Sequence, residues 1–327
     1  MATPLQERVV ASLYDQSSEI ADEITHSHPL LSILDKKGLI VKHNGGESYR
    51  KPVMFNQTAS GGFYSGLGNF NINTKQDFST FNFAIRQAYE PFAVSGREVR
   101  ANKGSKYRLL DLLKTKKAVT TANLKNTLHT SLMGDGTSFG GIGFDGIQLM
   151  ISATPTSGNY GEITRSGNTF AQNVVHTVSG GLSSSNVQAD ITAARIKVAR
   201  GYEWCDVGLA GATAYKALHA SLTAIQRIVN EDNKGKGGFN SLFYDGIEFF
   251  FDGGFGNTSG TASFGANHIR LLSTNYISLD VEESTWIKPL DGAAERPVDQ
   301  DGVFVVMIAE GNLCCNAPAL QVLIKEA

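Results

Sequence analysis

Few residues in this chain of 327 stand at spacings that chemistry requires. Gly141, Gly143 and Gly146 fit the letters G-x-G-x-x-G, a loop that lets backbone N–H groups and a helix N-terminus meet a pyrophosphate. That mechanism needs a strand before the loop and a helix after it. Here the side-chain pattern predicts a helix before and a strand, Ile147 to Ile151, after, so the letters match without the mechanism. No G-x-x-x-x-G-K-[ST], H-E-x-x-H or G-x-S-x-G segment occurs. His26 and His28 are the one close pair among 7 histidines, and a spacing of two puts them on different faces of a helix, not around a metal. Cys314 and Cys315 adjoin and a third cysteine stands apart, too few for a disulfide framework and without Cys-x-x-Cys spacing for zinc. Buried thiols in a reducing compartment are expected. Asn56 and Asn257 begin glycosylation sequons that have meaning only in a secreted chain, and the residues from Met1 to Val10 do not read as a signal peptide. No apolar run approaches the length of a membrane span, so no membrane partner is expected. Nothing here gives a reason to propose an enzyme, and no catalytic residue, metal or cofactor is expected.

Charge is the stronger signal. Arg97, Arg100, Lys103, Lys106, Arg108, Lys114, Lys116, Lys117 and Lys125 are opposed over that stretch only by Glu98 and Asp111. Glu282, Glu283, Asp291, Glu295, Asp299 and Asp301, opposed by Lys288 and Arg296, form the acidic counterpart. Two readings of the basic stretch stay open: a solvated helix face, or a surface facing a polyanion or an acidic neighbour. The whole chain does not share the bias, with 29 basic against 31 acidic residues, so it is not built as a general nucleic-acid binder. Charged residues are 18% and glycines number 35, so Gly, Ser, Thr and Asn carry much of the polarity, and a near-neutral surface tolerates self-association. The 41% of hydrophobic residues excludes wholesale disorder and supports a large core.

The elements that must position these charges follow from periodicity. Thr3, Pro4 and Gln6 open a helix with Leu5, Val9, Leu13, Ile20 and Ile24 near one face, which packs on its own domain or lies as an arm along a neighbouring subunit. Alternation from Glu47 to Phe55 and again from Phe81 to Tyr89 predicts two strands of one hairpin, joined by a long Gly/Ser/Asn/Thr tip with Phe63, Tyr64 and Phe70. A tip of that length usually acts outside its own domain, and the Lys and Pro in the strands suit an exposed ribbon. A helix from about Ser105 to Met133 carries Leu109, Leu113, Leu124, Leu128 and Leu132, with Leu110 and Val119 beside them, and stops at Gly134. Two shorter helices follow: one capped by Ser185 with Val187, Ile191, Ala194 and Val198, the other with Tyr215, Leu218, Leu222, Ile225 and Val229. A hairpin of Ser241 to Tyr244 and Ile247 to Phe251 turns at Asp245-Gly246, and Ile269 to Ile277, Val303 to Ala309 and Leu320 to Ile324 read as further strands. The class is α+β, without regular βαβ alternation or internal repeats.

The order of short segments resembles the major capsid proteins of tailed bacteriophages. Those segments are Met133-Gly134-Asp135-Gly136-Thr137, Gly140-Gly141, Phe144-Asp145-Gly146-Ile147, Thr154-Pro155-Thr156-Ser157-Gly158 and Gly161-Glu162-Ile163. Upstream, Gly96-Arg97-Glu98 and Leu109 to Lys114 agree, and later so do Ile225 to Asp232, Leu272 to Ile277, Ala309 to Asn312 and Gln321 to Ile324. The resemblance implies a Hong Kong 97-type fold: an N-terminal arm at 1–45, an extended β-hairpin loop at 46–90, a peripheral domain at 91–208 and 298–327 with a spine helix near 105–133, and an axial domain at 209–297. It also implies a subunit that joins copies of itself in hexamers and pentamers of a virion shell built in the host cytoplasm. Its further partners would be a portal protein, possible decoration proteins and packaged double-stranded DNA. Since the arm begins near Met1, a separate scaffolding protein and no maturation cleavage are expected. Expected contacts with a neighbour are Arg50, Lys51, Phe63, Tyr64, Lys75, Arg86, Glu282 and Glu283, while Lys106, Arg108, Lys114, Lys116, Lys117 and Lys125 would face DNA or an acidic neighbour. The alternatives are an encapsulin-like compartment with a protein cargo, or another virion structural protein.

Overall fold

The computed structural model describes residues 28–55, 63–67, 77–101, 106–222, 241–252, 265–290 and 301–327. The helix expected at 4–24, and the tip residues Phe70 and Lys75, lie outside them. The chain divides into two units, one of Ala88–Leu128 with Ser284–Ala309 among described residues, the other of His28–Gln87, His129–Glu283 and Glu310–Ala327.

The described chain opens with a helix that periodicity did not announce, α1 (Pro29–Lys36), with Pro in its first turn, where a missing N–H costs nothing, and Leu30, Ile33 and Leu34 buried. Strand β1 (Ile40–His43) follows, then β2 (Ser48–Met54) and β3 (Phe78–Ala84), an antiparallel ribbon in the register Tyr49↔Phe83, Lys51↔Phe81 and Val53↔Ser79. The expected second strand does not run on to Tyr89: it ends at Ala84, and Arg86–Ser95 forms a separate strand, β4. Helix α2 (Gly96–Ala101) leads to α3 (Lys106–Met133), within a residue of expectation. Along α3 Leu124, Leu128 and Leu132 are buried, a strict step of four, while Val119, expected beside them, is exposed.

Beyond α3 the segment Ile147–Met150 is one turn of helix, α4, not the expected strand. A short apolar run does not by itself distinguish the two. Here Gly146 lies so close to the end of α3 that a Cβ on it would sit 2.1 Å from the Gly134 carbonyl oxygen, and Gln148 N–H donates to that same oxygen at 3.0 Å. The pair β5 (Asn159–Tyr160) and β6 (Ile163–Thr164) precedes β7 (Val174–Val178) and α5 (Val187–Val198). Helix α5 buries all four expected stripe residues, but the residue before it is Asn186, not Ser185, and the Asn186 Oδ1 accepts from Ser183 N–H and caps nothing. After β8 (Val207–Ala210) comes α6 (Ala212–Leu222), burying Leu218 and Leu222; Ile225 and Val229 lie outside the described residues.

Strands β9 (Ser241–Tyr244) and β10 (Ile247–Phe251) form the expected hairpin, with Asp245 and Gly246 both at positive φ. The expected strand at 269–277 is two strands, β11 (Ile269–Leu272) and β12 (Ile277–Glu282), parted by a turn of 3-10 helix whose Thr274 donates to the Asp206 carboxylate. Strands β13 (Lys288–Pro289), β14 (Gly302–Cys315) and β15 (Val322–Glu326) complete the chain, β14 six residues longer at its C-terminal end than alternation indicated.

In the larger unit β7, β15, β11, β8, β10 and β9 lie in that order as a mixed six-stranded sheet. It includes strands from both sides of the boundaries expected near 208 and 297. Helices α5 and α6 share its core, where Val187, Ile191 and Leu218 meet Phe249, Leu271 and Ile324. Gly208 pairs with Phe249 across β8 and β10, and a Cβ there would lie 2.4 Å from the Phe249 ring. In the same unit β1 runs parallel to β12, which pairs antiparallel with residues 311–315 of β14. In the smaller unit β13 pairs with Met307 and Ile308 of β14, and Gly96 N–H donates to the Asp301 carbonyl at 2.8 Å.

Candidate functional site

With no catalytic constellation among the described residues to build from, the candidate surfaces are those of the ribbon and, each by itself, of the charged segments. The ribbon's root is not the exposed edge that its Lys and Pro suggested. Phe81 and Phe83 are fully buried, with Tyr160 edge-on to both rings at 5.7 and 5.3 Å and Phe170 beside Phe81 at 5.9 Å. Alternation puts these two Phe on one face of β3 and leaves the other face for the surface. Phe55, at the upper end of β2, stacks on Phe170 at 4.6 Å, so the aromatic packing follows the ribbon outwards.

Beyond that packing the ribbon is apolar and exposed. Met54 and Phe78, cross-strand partners, are 74% and 64% exposed, and Phe63 and Leu67 near the tip are fully exposed. Tyr64 is 64% exposed, and Arg50 also faces solvent. Large apolar side chains exposed together mark a surface that another protein covers.

The charged candidates divide differently. Lys51 was expected to reach a neighbour, but its ammonium is held within the chain, 2.7 and 3.0 Å from the two oxygens of Asp280, a carboxylate fully buried in β12. His43 Nε2 lies 3.5 Å from the same carboxylate. Register explains it: Lys51 shares a face with Tyr49 and Phe81, the face that packs inwards. Glu282 is also turned in, accepting Gly45 N–H at 2.8 Å, whereas Glu283 is exposed and 3.8 Å from Lys42. Burial, followed by the charges of Glu282 and Asp280, pushes the Tyr49 hydroxyl up to about 12. Arg86 is half-buried, and its charge acts on Asp145. Asp145 and Asn312 form a polar knot under the ribbon: Asn312 donates to the Asp145 Oδ2 and to the Ala84 carbonyl at 2.9 Å each, and its Oδ1 accepts Asp145 N–H. Burial raises the Asp145 pKa, against the Asn312 hydrogen bond and the Arg86 charge, which both lower it. The sequence offered no signal for this knot, because its members are 167 residues apart.

On the basic helix Lys117 and Lys125 are exposed, and Lys116 is half-buried, donating to the Ala93 carbonyl at 3.1 Å and lying 3.3 Å from Glu98. The side chains of Lys106, Arg108 and Lys114 lie outside the described residues. Arg100 pairs with Asp301 at 2.6 Å, so part of the acidic segment meets the basic one inside a single chain.

Three groups that the sequence singled out for chemistry pack within the described chain. Glycine at 146 is needed for packing on Gly134, whose carbonyl already takes the Gln148 N–H, one of the N-terminal donors of the one-turn α4 that a phosphate would require. All three cysteines are buried, and desolvation pushes Cys205 and Cys315 up to about 12 and Cys314 higher still. His28 stacks on His129 at 4.2 Å, and His129 Nε2 lies 2.6 Å from a carboxylate oxygen of Asp252, a buried cluster that sequence reasoning missed. Among the described residues no group of three His, Cys, Asp or Glu side chains is placed to hold a metal, and no helix is long and apolar enough to cross a membrane.

No family model and no curated protein sequence matches the chain. Solved structures do. The chain is similar to the cyanophage A-1(L) capsid asymmetric unit at a TM-score of 0.64 and 13% identity, covering 95% of each chain. It is similar to the capsid of a native GTA particle at 0.62 and 11%, covering 95% of this chain and 94% of that one. The capsid of Myoviridae phage XM1 matches at 0.52 and 13%, over 97% of both. The described residues of the chain therefore have the α+β fold of phage capsid subunits.

Proposed function

We propose that the chain is the major capsid protein of a tailed phage and assembles with copies of itself into an icosahedral shell around double-stranded DNA. The observation that carries this reading is the likeness of fold over nearly the whole length of both partners. The exposed apolar ribbon supports it, since Met54, Phe63 and Leu67 suit burial against a further protein surface. Such a subunit works by geometry: repeated copies close a shell of point-group symmetry, and many moderate contacts sum to a large stability.

In this reading 1–45 is an arm, 46–90 an extended loop, 91–208 with 298–327 a peripheral domain whose spine is α3, and 209–297 the axial domain, whose β9, β10 and β11 lie in the six-stranded sheet. Phe63, Tyr64, Arg50 and Glu283 are the candidates left at the surface for contact with a neighbour. Lys117 and Lys125 are candidates to face DNA, by nonspecific, salt-dependent phosphate neutralisation, or an acidic neighbour. A portal protein, a separate scaffolding protein and decoration proteins are the further partners, with assembly in the host cytoplasm.

Electron microscopy of the purified protein, alone and with its scaffold, together with the absorbance ratio of particles from infected cells, tests this. Closed icosahedral shells containing DNA are expected. Subunits that stay monomeric with scaffold added would overturn the capsid reading, and finished particles from infected cells that hold protein and no nucleic acid would favour an encapsulin-like compartment.

A further inference from the structure

The turn after α3 holds three consecutive residues in the left-handed region: Phe139 at φ 56, Gly140 at φ 74 and Gly141 at φ 83. Glycine adopts this conformation freely, and Asn or Asp tolerates it, but an aromatic residue is uncommon there and strained. Strain of this kind persists where the surroundings enforce it, and it marks positions that do something. The enforcement is visible. Gly141 N–H donates to the Thr137 carbonyl at 3.1 Å and Gly143 N–H to the Ser138 carbonyl at 3.3 Å. A Cβ on Gly134 would lie 2.7 Å from Ser138 Oγ, and one on Gly143 2.6 Å from Ser131 Oγ, so the turn sits tightly on the end of α3.

What the turn presents is apolar. Phe139 is 53% exposed and Ile142 66% exposed, so burial inside the chain does not explain an aromatic at the strained position. The segment from Ser138 to Phe144 contains no charged side chain, which suits neither a phosphate backbone nor an anionic lipid surface. A rigid turn that holds two apolar side chains outwards has the character of an interface anchor, whose ordering cost is met before binding.

We infer that the Phe139–Ile142 knob is a contact with a second copy of this chain. This rests on the capsid reading above, and it names a surface that the basic helix and the ribbon do not include. A second copy is the fitting partner because this chain itself exposes large apolar side chains at Met54, Phe63 and Leu67, so each copy carries both a knob and apolar surface to receive one. Contact between unlike surfaces of identical copies is the arrangement that closes rings.

The test separates strain from contact, because the two predict opposite signs. Phe139→Asn keeps the left-handed backbone and removes the ring, and Phe139→Gly removes strain and ring together. The thermal midpoint of unassembled subunits should stay level or rise in both variants, while the protein concentration at which light scattering reports assembly should rise by roughly tenfold or more. Hydroxyl-radical footprinting of the wild-type protein should oxidise Phe139 in free subunits and spare it in particles, which decides the matter even if a variant misfolds. Variants that assemble at the wild-type threshold, or equal oxidation of Phe139 in both states, would overturn the inference while leaving the capsid reading intact. Wild-type subunits that never form particles, with or without scaffold, would overturn both.

Discussion

Replacing Lys51 by Met should destabilise the unassembled subunit by about 3 kcal/mol, and the figure follows from where the ion pair sits. The ammonium is 2.7 Å from one Asp280 oxygen, the carboxylate is fully buried, and the Lys51 side chain is 22% exposed. At an effective dielectric of about 20, opposite charges at that separation attract by roughly 6 kcal/mol, an amount that desolvation of the two groups largely offsets. Met keeps most of the stem and its packing but removes the charge, so the desolvation of Asp280 loses its main compensation and only His43 Nε2, 3.5 Å away, stays beside it from the pair of basic side chains named above. Breaking a buried pair in this way costs about 3–5 kcal/mol, and partial solvation of Lys51 places this case at the lower end. The double variant Lys51→Met/Asp280→Leu removes both charges and should recover about 2 kcal/mol of the loss, since apolar side chains in place of a buried pair leave no charge stranded. Urea unfolding of subunits kept below the assembly concentration, followed by circular dichroism, measures all three proteins. A Lys51→Met variant within about 0.5 kcal/mol of wild type, or a double variant no more stable than the single one, would refute the argument that this charge is bound inwards and not held for a neighbour.

Two further expectations follow from burial. The native pKa of Asp145 is raised above the ordinary 3.8, chiefly by desolvation, so the native state holds that proton more tightly than the unfolded chain does. The resulting stability is present in full below the ordinary value and is lost as pH rises through the raised one. Asp145→Asn, which can still accept from Asn312, should gain stability relative to wild type as pH climbs from 3 to 7, and a difference in unfolding free energy that does not change with pH would refute it. The buried thiols of Cys205 and Cys315, pushed up to about 12, and of Cys314 should resist a thiol-disulfide reagent at pH 8 until denaturant is added. Rapid labelling of any of the three in native protein would contradict their burial.

Local rules were enough wherever an element satisfies itself from its own neighbours in sequence. The stripe Val187, Ile191, Ala194 and Val198 is legible because a helix puts those residues on one face, and all four are buried. The Asp245-Gly246 turn is legible because a two-residue hairpin needs positive φ at both positions, and both have it. The failures lie where a short segment answers to something distant. Ile147 to Met150 became a helical turn because Gly146 packs against Gly134 and the Gly134 carbonyl takes the Gln148 N–H. The strand expected at 269–277 broke at Thr274 because the Asp206 carboxylate accepts from its backbone and hydroxyl, 68 residues away.

The candidate surface divides along the same line. The sequence by itself determined the α+β class, the ribbon with its long tip, the long basic helix and, through the order of its short segments, the resemblance to phage capsid proteins. Periodicity carries the elements because burial of alternate or every-fourth residues is a local property, while the order of the short segments alone carries the resemblance. Only the tertiary structure decided which charges are available to a partner. Lys51 and Arg50 are adjacent in β2 and alike in charge, yet alternation turns one towards a buried carboxylate from β12 and the other to solvent. The sense of that alternation is set by Phe81 and Phe83 on the paired strand and by the Tyr160 ring that packs on them, contacts between residues far apart in the chain that spacing along the sequence does not encode.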